Sequence, residues 1–337
     1  YSYLNASLNR VFGHRAPGMT AGSIDDIYFG DHPDVPPIVV DDWWDSPSAS
    51  AQLEAWLGAV LTTTEQPDLE HDREVAEATR ADRPDYSAMS NAELLDDATS
   101  RIPTFRRMFE QHINQSASAS IGPGIIAAVA EAVGDPTLTL KIIGAVGGVD
   151  SAAPSFAMWE LSRQVVDSPA LTAAFDAGVN GLIDRLAGLD DPEVTSFSAG
   201  LEDFMFRFGS RGPNEWDIHA HVWETDPELV LSAIERMRFA GDDEAPGRRH
   251  DERERERDAI VARLTEALAE DPQAQGQFLA GVASAACFVA GRERSKTSII
   301  KVIHEARLAM WELGARLVEA GGADEPRDIC MLFLDEI

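Results

Sequence analysis

Along this chain an aspartate or serine repeatedly stands directly before a proline, as at Asp135-Pro136, Ser168-Pro169, Asp191-Pro192, Asp226-Pro227 and Asp271-Pro272. The short oxygen-bearing side chain can accept a hydrogen bond from an orphan amide of a first helical turn. Proline at the first helical position has no amide to leave unsatisfied and a φ already close to the helical value. Each pair therefore predicts a helix start. Behind Asp191, the residues Val194, Phe197, Leu201, Phe204 and Phe208 advance by three or four, the spacing of one buried helical face, and that helix ends near Gly209.

The same periodicity marks the last helix. Ile299, Ile303, Ala306, Met310, Leu313 and Leu317 form its apolar stripe, Glu312 and Arg316 pair on another face, and Gly321 and Gly322 close it. The charged cluster Gly291 to Lys296 is read as its opening. Leu53, Trp56, Leu57, Val60 and Leu61 predict a helix between Asp41 and Thr64, and residues 91–114 predict one helix or a pair broken at Pro103. The run "ICMLFL" near the end reads as a strand or an extended linker. The fold class that follows is mainly α, an irregular multi-helix domain over residues 1–337 with short extended segments. Charged stretches near 65–90 and 241–258 read as surface excursions, the second beginning an exposed helix. No internal repeat is evident.

With 337 residues, 44% of them hydrophobic, the chain can bury a substantial core. Lys plus Arg number 28 against 58 Asp plus Glu, a formal charge of -30, which repels a phosphate backbone or an anionic membrane. Nucleic acid and membrane are therefore not expected partners, and any phosphate handled here needs a local cluster of arginines. Cys287 and Cys330 sit in apolar runs as small hydrophobes, with no disulfide framework or zinc pattern. No apolar run of membrane-spanning length and no signal region is read, so a cytoplasmic location is expected. The start at Tyr1 and the apolar end "CMLFLDEI" read as a segment of something larger.

"SIGPGIIAAVAEAVGD" and "GAVGGVD" look like phosphate loops but lack the Gly-Lys-Ser/Thr and G-x-G-x-x-G patterns, and read instead as helix ends or close helix packing. His219 and His221 have H-x-H spacing, with Asp217 and Glu224 nearby; a metal site is conceivable there, but no distant further ligand has a characteristic spacing and no metal is assigned. His112 and Ser116 lie one helical turn apart and read as polar packing. In "GSRGPNEWD", Arg211 and Glu215 are four residues apart in a glycine- and proline-shaped loop. They are either a buried structural pair or the polar rim of a pocket.

"FGSRGPNEWDIHAHVWETDP" resembles the "YGHRGPGEWDLASPRWREDP" type of motif found in the central part of the phosphoenolpyruvate-utilising enzymes, a family that includes phosphoenolpyruvate synthase and the rifampicin phosphotransferases. "GVDSAAPSFAMWELSR" is similar to that family's stretch before its W-E-L-A-R helix. "RERSKTSIIKVIHEARLAMWELGARLVEAGGADEPRDICMLFLDEI" is similar to its "RE..K" helix and the segments that follow, and "YLNASLNRVFGHRAPGMTA" fits the start of its middle region. Asn214 stands where the family often has glycine. The resemblance implies a helical acceptor-binding domain of a multidomain phosphotransferase, inactive by itself. An ATP-grasp domain and a swivelling phosphohistidine domain, not in this chain, would supply phosphate and account for ATP and Mg. The alternative is a non-catalytic ligand-binding or scaffold domain derived from that family.

On this reading the small-molecule acceptor sits in an apolar helical cavity. Arg211, Glu215, Trp216, His219, His221, Trp223 and Arg292 are the substrate-binding candidates. Arg211 and Arg292 meet the incoming phosphate, and Glu215 holds Arg211. Trp159, Phe204, Met205 and Phe208 join the tryptophans in the lining.

Overall fold

The computed structural model describes residues 5–16, 19–30, 33–144, 146, 152–333, 336 and 337. Among them every regular element is a helix and no strand occurs. The chain divides into two compact units, residues 1–64 and 65–337.

The smaller unit contains α1 (Ala6–Arg15), α2 (Ala21–Tyr28), a 3-10 turn Asp42–Trp44 and α3 (Pro47–Thr62). Its small core is Val11, Ala21 and Trp44. Arg10 locks α1 to α2 through Asp25 at 2.6 Å. Of the apolar residues that predict α3, only Val60 is buried.

The larger unit is organised around one helix. Its elements before that helix are α4 (Pro67–Ala81), α5 (Asn91–Ser100), α6 (Ile102–Ser118), α7 (Ile121–Ala132), α8 (Thr137–Ile143), α9 (Ala153–Asp167), α10 (Pro169–Asp176), α11 (Leu182–Ala187), α12 (Pro192–Phe208), α13 (Glu228–Met237) and α14 (Pro246–Ala267). The last, α15 (Pro272–Glu319), has 48 residues, a rod about 72 Å long at 1.5 Å per residue. α4, α5, α6 and α7 all pack along it. The helix expected to open at Gly291 is therefore the continuation of the one that starts at Asp271-Pro272. Asp271 caps it by accepting from Gln273 N and Ala274 N at 3.1 and 3.0 Å. It runs through Gly291, where a Cβ would collide with the Gln66 and Gln115 side chains. Glycine mid-helix is tolerated where a neighbour approaches this closely.

The other Asx/Ser-Pro pairs also open helices. Ser168 and Asp191 cap α10 and α12 directly, and α8 and α13 begin one residue beyond their prolines. On α12, Val194, Phe197, Leu201 and Phe204 are buried and Gly209 is the C-cap. Burying such side chains contributes about 1.5–3 kcal/mol each. They belong to a core built from α9 to α13, together with Leu161, Phe175, Leu231 and others, that contains no residue of α15. Three further cores each include α15 residues. The break between α5 and α6 falls at Arg101, just before Pro103 in the first turn of α6.

Three expectations are corrected. The stretch read as a surface excursion near 65–90 contains α4, one face of which, Leu69, Asp72, Ala76 and Arg80, is buried against the rest of the unit, while Arg73, Glu74 and Glu77 on its other side are exposed. Residues 242–244 and α14 do form the exposed, charged helix start expected for 241–258. "ICMLFL" forms no strand: Pro326–Met331 is a 3-10 turn, nucleated by Glu325 N donating to Asp328 Oδ2 at 2.8 Å. It sits so close to α15 that a Cβ on Gly314 would overlap the Pro326 backbone. Finally, one 18-residue stretch of α15 has mean hydropathy 1.2 and is long and apolar enough to cross a bilayer by length and composition alone. In this structure 33% of that stretch is buried.

"SIGPGIIAAVAEAVGD" supplies helix packing. Gly122 of α7 lies against the α15 backbone at Gly281 and Ala285, where any Cβ would clash. "GAVGGVD", the tip of "YLNASLNRVFGHRAPGMTA" and part of "FLDEI" fall largely outside the described residues. Cys287 and Cys330 are both free and half-buried.

Candidate functional site

Residues 209–225 leave α12 and return toward α13 as a loop whose ends are stitched together. Glu224 N donates to Gly209 O and Trp223 N to Arg211 O, both at 2.9 Å. The tip turns at Asn214, the one non-glycine residue with positive φ (53°) among those described. Asparagine is among the few residues that tolerate the left-handed region, which explains why it can occupy a position where the resembling motifs have glycine.

Within the loop, Arg211 Nε donates to Glu215 Oε2 at 2.8 Å and the Gly212 amide donates to the same oxygen at 3.1 Å. Lys296 of α15 reaches Glu215 Oε1 at 2.7 Å, and Arg211 Nη1 donates to Thr297 Oγ1 at 3.2 Å. Burial alone pushes the Glu215 carboxyl up, but Lys296, Arg211 and the Gly212 amide hold it below the usual carboxylate range.

One side of α15 carries the loop. Lys296 and Thr297, then His304, Arg307 and Trp311, recur at helical spacing and each bonds to it. Arg307, wholly buried, donates to the carbonyls of Glu215 (2.9 Å), Asp217 (3.0 Å) and Ile218 (3.3 Å), and to His304 Nδ1 at 3.0 Å. No carboxylate among the described residues pairs with it directly. Burial pushes its pKa down to about 10, so it remains a cation at neutral pH. An arginine cannot accept a hydrogen bond, so His304 Nδ1 must be the acceptor and Nε2 carries the proton that points at Glu224 Oε2, 2.8 Å away. His304 is thus neutral, its pKa lowered by burial and by Arg80 and Arg307 against the pull of Glu224.

Glu224 also accepts from Arg80 Nη2 at 2.8 Å and from Arg83. Arg80 and Arg83 in turn donate to Glu305, at 3.0 and 2.7 Å, and Arg80 reaches the carbonyls of Met205 and Phe206 in the last turn of α12. Two arginines and two carboxylates therefore neutralise each other at the junction of α4, α12 and α15. Burial works to raise the Glu224 carboxyl, but His304, Arg83 and Arg80 hold it far below its ordinary value.

Above this junction opens a pocket of about 480 Å³. α12 contributes Phe206, Arg207 and Phe208, the loop contributes Arg211, α4 contributes Arg73, Glu77 and Arg80, and α15 contributes Thr297, Ser298 and Lys301. Phe206 and Phe208 lie under guanidinium groups, Arg80 at 5.5 Å and Arg207 at 4.8 Å from the ring centroids. Five cations (Arg73, Arg80, Arg207, Arg211, Lys301) line the pocket against one carboxylate, Glu77. Each of these cations is also ion-paired: Arg73 and Lys301 with Glu77, Arg80 with Glu224 and Glu305, Arg207 with Asp203, and Arg211 with Glu215.

The sequence profile of the rifampicin phosphotransferase fourth domain matches residues 111–293, more than half of the chain. The chain belongs to this family. With it comes a role in a phosphoenolpyruvate-utilising phosphotransferase. No curated protein matches the chain. The profile match of the rifampicin phosphotransferase fourth domain takes in Phe206, Arg207, Phe208 and Arg211, while α4 and the Thr297–Lys301 wall lie beyond it.

The structure brings the sequence-derived candidates together only in part. Arg211 lines the pocket and is also the buried partner of Glu215, so both readings of that pair apply. Trp216 faces away, half-exposed against Phe109 (6.0 Å) and His112 (5.5 Å) of α6. His112 bonds Ser295 Oγ at 2.9 Å rather than Ser116. His221 is exposed with its ring edge-on to Trp311 at 5.1 Å, and His219 contributes a backbone bond to Asp217. No group of three or more metal-competent side chains occurs among the described residues. Phe204, Met205, Phe208 and Trp223 pack in or against the α9–α13 core, and Arg292 is exposed on α15.

The residues that build the junction, Arg80, Arg83, His304, Glu305 and Arg307, were not among the candidates. Of these, only His304 and Arg307 leave a trace in the sequence: with Lys296 and Trp311 they recur at helical spacing along α15.

Proposed function

We propose that this chain is the acceptor-binding domain of a multidomain phosphotransferase and that the acceptor enters the pocket beside Arg211. An ATP-grasp domain and a swivelling phosphohistidine domain, on the same polypeptide, supply the phosphoryl group, and ATP and Mg belong to those domains. The reading is carried by the cationic, aromatic-floored pocket in a strongly acidic chain of the rifampicin phosphotransferase fourth-domain family.

The chemistry fits the lining. Phe206 and Phe208 offer apolar contact for the body of an acceptor, and a transferred phosphoryl group is shielded from water inside a concave site. Arg211, pinned by Glu215 and Thr297, and Lys301 present fixed positive charge where negative charge builds up during transfer. Arg211 needs no reorganisation to do so.

Isothermal titration of the chain with rifampicin, the acceptor in the family's own name, tests the reading, with Mg-ATP as a control. Saturable binding that weakens at least tenfold in Lys301→Glu supports it. ATP turnover by this chain, or rifampicin binding indifferent to Lys301→Glu, overturns it.

A further inference from the structure

A second cavity, of about 490 Å³, lies between α9, α13 and the first half of α14 and shares no lining residue with the pocket beside Arg211. Phe156 and Trp159 of α9 and Met237 of α13 give it an apolar wall, while Arg236, Arg249 and Arg253 stand around it with Glu244 as its one lining carboxylate. Trp159 is held in place. Arg163 lies 4.1 Å over the indole and is itself anchored, donating to Met237 O at 2.6 Å and Ala240 O at 3.2 Å. The indole is therefore a preformed platform.

The arginines differ in how they are engaged. Arg249 makes a long contact of 3.7 Å to Glu244, both about half exposed, a surface pair of little strength. Arg236 and Arg253 are exposed and make no hydrogen bond or ion pair among the described residues. In a chain where acids outnumber bases 58 to 28, guanidinium groups find carboxylates easily. Two left without partners beside an aromatic wall form a complete recognition element: a flat apolar surface with planar donors suited to an oxyanion.

We propose that this cavity is a second ligand site, for a small aromatic anion whose ring lies against Trp159 and Phe156 and whose carboxylate, sulfonate or phosphate is received by Arg236 and Arg253. The site is independent of the acceptor pocket and stands whether or not that reading holds.

The probe is 1-anilinonaphthalene-8-sulfonate, titrated into the full chain by fluorescence, with uncharged N-phenyl-1-naphthylamine alongside. Two double variants carry the same change in net charge: Arg236→Glu with Arg253→Glu, and Arg207→Glu with Lys301→Glu at the other pocket. Circular dichroism confirms that both remain folded. The expected result is saturable sulfonate binding, tighter than that of the neutral dye, that weakens at least tenfold in the first variant and stays within twofold in the second. Unchanged binding in the first variant, loss in the second instead, equal affinity for the neutral dye, or no saturable binding each overturns the proposal.

Discussion

Arg307 donates to His304 Nδ1 at 3.0 Å, and that one contact fixes the charge state of the histidine on which the central loop rests. A guanidinium on Nδ1 leaves Nε2 to carry the proton toward Glu224, so a second proton has no place on the ring.

Stability therefore falls with acid in two steps. His304 has a folded pKa below the 6.5 of its unfolded form; below pH 6.5 only the unfolded chain takes up that proton, and stability declines from there downward, by at most about 1.4 kcal/mol per pH unit for one group. Glu224 has a folded pKa below its ordinary 4.5, so its contribution is present above pH 4.5 and is lost as pH falls below it. His304→Gln keeps an acceptor for Arg307 and a donor for Glu224 without titrating. Urea unfolding between pH 7 and 5 should show a shallower decline in the variant; parallel slopes would mean that His304 is protonated in the native state.

Glu305 is fully buried between Arg80 and Arg83. Glu305→Ala leaves Glu224 as the one carboxylate facing both Arg80 and Arg83 and should destabilise the larger unit by about 3–5 kcal/mol, read from the urea midpoint. A loss below about 1 kcal/mol would show that the pair is solvated in solution.

Asn214 occupies the left-handed region. Asn214→Gly should stay within about 1 kcal/mol of the parent, while Asn214→Val should lose about 1–2 kcal/mol. Equal melting temperatures for the two variants would place this turn in another conformation.

Gly122 allows α7 to touch the backbone of α15. Gly122→Ala forces the helices apart and should cost at least about 1–3 kcal/mol, whereas alanine at Gly124, which faces open space, should be neutral or slightly stabilising because alanine is the better helix former. Equal effects at the two sites would remove the close contact.

The helix starts and the buried faces of α12 and α15 were legible because they depend on local rules: a cap oxygen, a proline, a step of three or four. The candidate site was legible only at Arg211 and Glu215, four residues apart. Arg80 was not, because its partners lie at positions 205, 206, 224 and 305, and a charged residue in an acidic stretch reads as solvated unless those distant groups are known. The full length of α15 is not legible for a related reason. Its middle is buried on every side, including at His304, Glu305 and Arg307, so no single stripe describes it. The end at Pro326–Met331 reads as a strand or linker because a short apolar run carries no period long enough to separate a strand from a turn.

The core of α9 to α13 contains no residue of α15, while the other cores of the larger unit do. The pocket beside Arg211 has walls on both sides of that divide: Phe206 and Phe208 from one, Arg73, Thr297 and Lys301 from the other. Its width is set by ionic struts at Arg80, Arg83, Glu224 and Glu305 rather than by interlocked hydrocarbon. Such a jaw would respond to salt and acidity at its hinge while the bodies that carry its teeth stay rigid.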